Sequence, residues 1–240
     1  MKKTVFILFF GTFFYLCGHG QSCFPDGIVL TTQAEIDNFS INYPGCTVIE
    51  GSLQIDGDIT NLSGLSGLTA IGKDLFVRGG PALTNLNGLG NITSVGGNLA
   101  IAGNVGLTTL SDLGNITSVG LEIYGNTVLP SLNGIQNITA FTRLTISENA
   151  ALTNLNGLEN LTTLETLIIG FNPALTSLAG IQNITSLSTL EIASNASLTS
   201  LNGLENITSL NYLNIQNNAA LSSLSGIQNI TSLTEIFITG

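Results

Sequence analysis

The chain has 240 residues, and its fifteen acidic residues against five basic ones give a formal charge of −10. So acidic a surface repels phosphate backbones and anionic lipid headgroups, which argues against a nucleic acid or a membrane surface as partner. With 8% charged and 43% hydrophobic residues, and no long unbroken apolar run past the N-terminus, the chain is neither a disordered nor a multi-span membrane protein.

Residues 1–20 have the pattern of a signal peptide. Lys2 and Lys3 precede an apolar run from Val5 to Leu16, and Gly18 and Gly20 stand at the −3 and −1 positions of a cleavage before Gln21. The run is too short to span a bilayer comfortably. Cys17 as a lipid anchor is disfavoured by bulky Leu16 just before it. Cleavage removes Met1, His19, Cys17 and two lysines. Lys73, Arg78 and Arg143 then face fifteen acids, three against fifteen, a charge of −12. The expected location is secreted or cell-surface, with no membrane insertion after cleavage. Residues 21–49 follow as an N-terminal cap. Cys23 and Cys46, the two cysteines left in an exported chain, are expected to pair; two buried free thiols are the alternative. The pair closes a loop of roughly 24 residues, which chain entropy values at roughly 3.5 kcal/mol.

From residue 50 to residue 240 a repeat dominates. An anchor leucine recurs at Leu62, Leu86, Leu110, Leu132, Leu155, Leu178, Leu201 and Leu224, at spacings of 22 to 24. A second column runs Leu53, Leu75, Leu99, Leu121, Leu144, Leu167, Leu190, Leu213 and Ile236. Two residues after each stand Ile55, Val77, Ile101, Ile123, Ile146, Ile169, Ile192, Ile215 and Ile238. That apolar-x-apolar alternation predicts a short strand with one face inward. Because each strand is followed by the same path around the coil, eight to nine of them stack in parallel. The expected fold is a β-rich repeat solenoid, curved and parallel, of about eight coils. A polar column (Asn104, Asn126, Asn149, Asn172, Asn195 and Asn218) stands five residues after each strand-opening leucine. An Asn fixed in every coil tolerates a tight bend and hydrogen-bonds backbone groups that would otherwise be buried unpaired. Asp58 and Gly80 occupy the column in the less regular early coils.

Residues 210–233 (LNYLNIQNNAALSSLSGIQNITSL) carry a recognisable pattern. It resembles the leucine-rich repeat, LxxLxLxxNxxLxxLxxLxxLxxL, with one residue added after the asparagine. The resemblance covers about residues 50–240. Cys46 to Ile55 (CTVIEGSLQI), with Gly79-Gly80 and Gly96-Gly97, is similar to the opening of the growth-factor-receptor L domain, a related right-handed solenoid. Whole chains of this style resemble secreted bacterial surface proteins, in which a sorting domain or further repeats usually follow. Neither follows here, and no polar terminal cap is visible after Ile236–Ile238, so the sequence is expected to be a fragment of something longer.

Seven N-x-T sequons stand in register, at Asn91, Asn115, Asn137, Asn160, Asn183, Asn206 and Asn229; Asn38, Asn61 and Asn195 begin N-x-S versions. Each N-x-T middle residue is an apolar core position, so one structural column explains the spelling without glycosylation. The threonines of those sequons form a ladder whose expected role is to satisfy backbone at the turn rather than to bind ice. Asp56-Gly57-Asp58 lacks an EF-hand spacing and reads as a solvated acidic turn. No metal or cofactor is expected. The mature chain has no histidine for base catalysis or metal ligation, and Glu122 and Glu191 lie three coils apart, on the order of 14 Å and too far to act as a glycosidase pair.

The expected function is therefore non-catalytic recognition of an extracellular protein or glycan through the strand face. The alternative is a structural spacer in a longer adhesin or matrix protein. The position between the two core residues of each strand decides between them: Gln54, Phe76, Ala100, Glu122, Thr145, Ile168, Glu191, Asn214 and Phe237 are varied, as a binder requires. The candidate site is Glu122, Tyr124, Arg143, Thr145, Ile168 and Phe171 in three middle coils, where aromatic and Arg residues adjoin an apolar pair. Ala100 and Ala102 in the neighbouring coil are small and offer little contact area.

Overall fold

Alternation of apolar and polar residues puts Leu144 and Ile146 on one side of a strand and Arg143, Thr145 and Ser147 on the other. In the computed structural model, which describes residues 21–117 and 120–239, that rule holds coil after coil. Leu144 lies beside Leu121 and Leu167, and Ile146 beside Ile123 and Ile169. Stacked in this way, the leucine and isoleucine columns from Leu53 to Ile192 are entirely enclosed. Each enclosed Leu or Ile contributes roughly 1.5–3 kcal/mol relative to exposure, so the columns are the main source of cohesion. The signal-peptide reading falls on residues 1–20 and lies outside the described residues.

The result is a parallel β-solenoid of about nine turns. Its main sheet has ten strands: β2 (Ile28–Leu30), β4 (Leu53–Asp56), β6 (Leu75–Arg78), β8 (Asn98–Ala102), β9 (Gly120–Tyr124), β10 (Ala140–Ser147), β11 (Thr163–Gly170), β12 (Thr189–Ala193), β13 (Ser209–Gln216) and β14 (Ser232–Thr239). A smaller sheet pairs β1 (Gln21–Cys23), β3 (Cys46–Ile49), β5 (Ala70–Ile71) and β7 (Ser94–Val95). Among the described residues of the later coils, only isolated bridges at Thr117 and Ser186 stand ahead of β9 and β12. β10, β11, β13 and β14 instead start four residues ahead of the core pair and are eight residues long.

The N-terminal segment belongs to the solenoid. β2 pairs with β4, setting Ile28 against Leu53 and Leu30 against Ile55, and β1 pairs with β3. Two short helices, α1 (Gln33–Asp37) and α2 (Phe39–Asn42), bury Ile36 and Phe39 in the first coil. Thr32 and Glu35 form a capping box at α1. Glu35 accepts the N–H groups of Thr31 and Thr32 at 2.8 and 2.9 Å, and the Thr31 bond first holds its carboxyl below the usual range. Phe24, Phe39 and Tyr43 cluster with ring centroids 4.7 to 6.2 Å apart. The expected Cys23–Cys46 disulfide is present, with its Cα atoms 5.8 Å apart, and ties the first coil to the second. At the other end Ile236, Phe237 and Ile238 are about half exposed on β14.

The asparagine column is buried. Asn104, Asn126, Asn149, Asn172 and Asn195 are 0% exposed. Asn172 shows the pattern: its Nδ2 donates to Ile146 O at 3.1 Å, Gly170 O at 2.9 Å and Asn195 Oδ1 at 3.2 Å. Its Oδ1 accepts the Asn149 N–H at 3.1 Å and the Asn149 Nδ2 at 3.4 Å. The ladder ends at Gly79, whose N–H donates to Asn104 Oδ1. That corrects the expected membership of Gly80. Gly80 instead takes a left-handed backbone, and Asp58 is exposed in the turn.

Candidate functional site

The sheet faces outward in rows, one residue per coil. One row runs Glu122, Thr145, Ile168, Glu191, aligned by strand register. All four are half-buried, as side chains are when they lie flat among neighbours on a sheet. The Thr145 Oγ1 is buried in this row without a hydrogen-bond partner. A second row, two residues on, runs Tyr124, Ser147, Gly170, Ala193 and Gln216. A third, just ahead of the first core residue of each strand, runs Gly120, Arg143, Thr166, Thr189 and Tyr212.

These rows bring some expected site residues together and hold others apart. Glu122, Thr145 and Ile168 are immediate neighbours. Tyr124 lies opposite Ser147, four residues along the strand from Arg143, or about 13 Å of backbone at strand rise. They therefore do not form one contact point. Phe171 does not stand on the strand at all. It follows β11 in the left-handed region, φ +55°, with 59% of its surface exposed. Glu148, Ser194 and Asn217 take the same conformation in adjacent coils, and Gly103 and Gly125 take it in earlier ones. A non-glycine residue there costs about 1–2 kcal/mol. These positions form a ridge along the margin of the strand face.

A further cluster escaped the sequence reasoning. Arg78 on β6 lies with its guanidinium 4.8 Å from the centroid of the Phe76 ring and 3.6 Å from Asp56 on β4. Gln54 Nε2 donates to the other Asp56 oxygen. The acidic turn at Asp56 is thus engaged by a cation and an amide. The signal was present in the sequence, because Gln54 and Phe76 lie in the outward row and Asp56 and Arg78 stand two residues on. The small residues beside them concealed it: Ala100 and Ala102 are 2% exposed and leave the larger side chains to form the surface.

The N-x-T asparagines are exposed, and those whose bonds are resolved are structural. Asn91, Asn160, Asn183, Asn206 and Asn229 each donate from Nδ2 to a carbonyl of the preceding coil at 2.6 to 2.8 Å. The threonine hydroxyls behave likewise: Thr117 donates to Thr93 O at 3.2 Å and Thr185 to Thr162 O at 3.4 Å. A second threonine ladder, not anticipated, joins Thr108 to Thr84 O and Thr176 to Thr153 O.

No family model, curated protein or solved structure matches this chain. Among the described residues no helix is long and apolar enough to cross a membrane.

Proposed function

We propose that this chain is a leucine-rich-repeat recognition module of the cell exterior that performs no catalysis and binds a protein or glycan through its strand face. The observation that carries the reading is the outward row on a rigid, hydrogen-bonded frame. Glu122, Thr145, Ile168 and Glu191 differ in charge, polarity and shape at one structural position, while the positions beneath them hardly vary. A uniform spacer has no use for such variety, and a preformed surface binds with little ordering cost. The Cys23–Cys46 disulfide suits an oxidising compartment outside the cytosol. Repeating leucine columns and a buried asparagine ladder support the leucine-rich-repeat assignment.

The test places an obstruction in the middle of the row. The mature chain and its Thr145→Arg/Ile168→Arg variant are compared on a glycan array and in pull-downs from extracellular protein fractions. A ligand of the wild type that the variant loses, with the circular dichroism spectrum unchanged, is the expected result. Equal capture by both moves the site off the face, and no capture by either favours the spacer.

A further inference from the structure

Phe171 is costly to the fold in two ways. It exposes a large apolar ring to water, and it holds a bulky residue in a backbone region that favours glycine. Gly103 and Gly125 show what the same position holds in earlier coils. The Phe171 N–H is bonded to Ala193 O at 3.0 Å, but its ring draws no compensation from the core, lying outside the buried cluster and outside the apolar residues packed on it. On β11, just before Phe171, Ile168 is a second outward apolar side chain, and Gly170, Ser147 and Ala193 between and beside the two are small. An apolar contact is thus presented at the margin of the face with no large side chain across it.

The charge around this contact has one sign. Glu122 lies two coils before Ile168 in its row, Glu191 one coil after it, Glu148 one coil before Phe171 on the ridge, and Glu165 earlier on the same strand. None of the four is in an ion pair; among the described residues the one pair is Arg78–Asp56. The nearest cation in sequence, Arg143, stands opposite Thr166, five residues before Phe171 and so about 16 Å of backbone away at strand rise. We propose that Ile168 and Phe171 anchor a basic segment of a partner protein, whose apolar side chains cover the two and whose lysines or arginines meet the surrounding carboxylates. The inference rests on the recognition reading above and narrows it. A basic polypeptide satisfies both the apolar contact and the acidic surround, whereas a neutral saccharide gains nothing from the net charge and an anionic one is repelled.

The experiment uses the mature chain, isotope-labelled, with three probes: a short peptide alternating lysine and leucine, its glutamate–leucine counterpart, and cellohexaose. The expected result is that the lysine peptide alone shifts amide signals centred on Ile168 and Phe171, and that its affinity falls as salt is raised. Phe171→Gly is expected to weaken it at least tenfold while the melting temperature stays the same or rises. Glu148→Gln/Glu191→Gln is expected to weaken it and flatten the salt dependence. An unchanged affinity in Phe171→Gly overturns the proposal, and so does a lowered melting temperature, which would make Phe171 a structural residue. Shifts by cellohexaose on the strand face, with none by the peptide, would overturn the basic partner and leave the recognition face standing. No shift on that face by any probe would overturn both.

Discussion

Asn172 and Asn183 are eleven positions apart and chemically identical, yet the fold uses them differently. The Asn172 side chain makes five buried hydrogen bonds, whereas Asn183 makes one at the surface, to Glu159 O at 2.6 Å. Removing a buried partner leaves carbonyls and N–H groups that water cannot reach. Asn172→Ala is therefore expected to cost roughly 2–3 kcal/mol, against about half a kcal/mol for the exposed bond of Asn183→Ala. Urea unfolding of the two variants checks this, and equal losses would show that the column at Asn172 is not the buried one. At this scale the sequence was readable where a residue type repeats, as the asparagines do. It pointed to Phe171 as a contact residue but not to its conformation, because a left-handed backbone leaves no mark in a side chain chosen for another purpose; glycines such as those at 103 and 125 were its trace.

Among the elements, the first coil depends most on a covalent tie. β1 is three residues long and β2 is three, too short to hold register alone, and the disulfide fixes β1 to β3 beside the helices that enclose Ile36 and Phe39. Cys46→Ser is expected to lower stability by about 3 kcal/mol. Hydrogen exchange should show β1, β3 and α1 losing protection first, while β10 and β11 keep theirs; uniform loss along the chain would mean that the cap does not open separately. The strands from β4 onward were legible as apolar pairs two residues apart. β2 was not, because Ile28-Val29-Leu30 lacks the repeat spelling and lies within what looked like a cap. The small second sheet was equally hidden, since Ala70–Ile71 and Ser94–Val95 are made strands by bonds between coils and by no pattern of their own.

At the scale of the whole molecule, the later coils are joined at one interval, each asparagine bonding its counterpart 23 residues away. Excising residues 160–182 would remove one such interval and bring Asn149 against Asn195 in the same geometry. That shortened chain is expected to unfold cooperatively in urea, with a smaller slope in proportion to the lost surface. Excising residues 160–170 would instead remove the core residues of β11 and leave Asn149 and Asn172 only twelve residues apart, too short a path around a coil, and its transition should be lost or much broadened. If both deletions behave alike, register is not what holds the coils together. The architecture was legible in the sequence for the same reason, because a period repeated this often admits few other folds. The contact surface was less so, since outward residues obey no period. The asparagine ladder separates two kinds of inheritance. Gain or loss of a whole repeat changes the reach of the protein in steps of about 4.8 Å without disturbing the frame, while substitutions on the outer rows change what is bound without altering length. Descendants of such a chain can therefore diverge in span and in specificity independently.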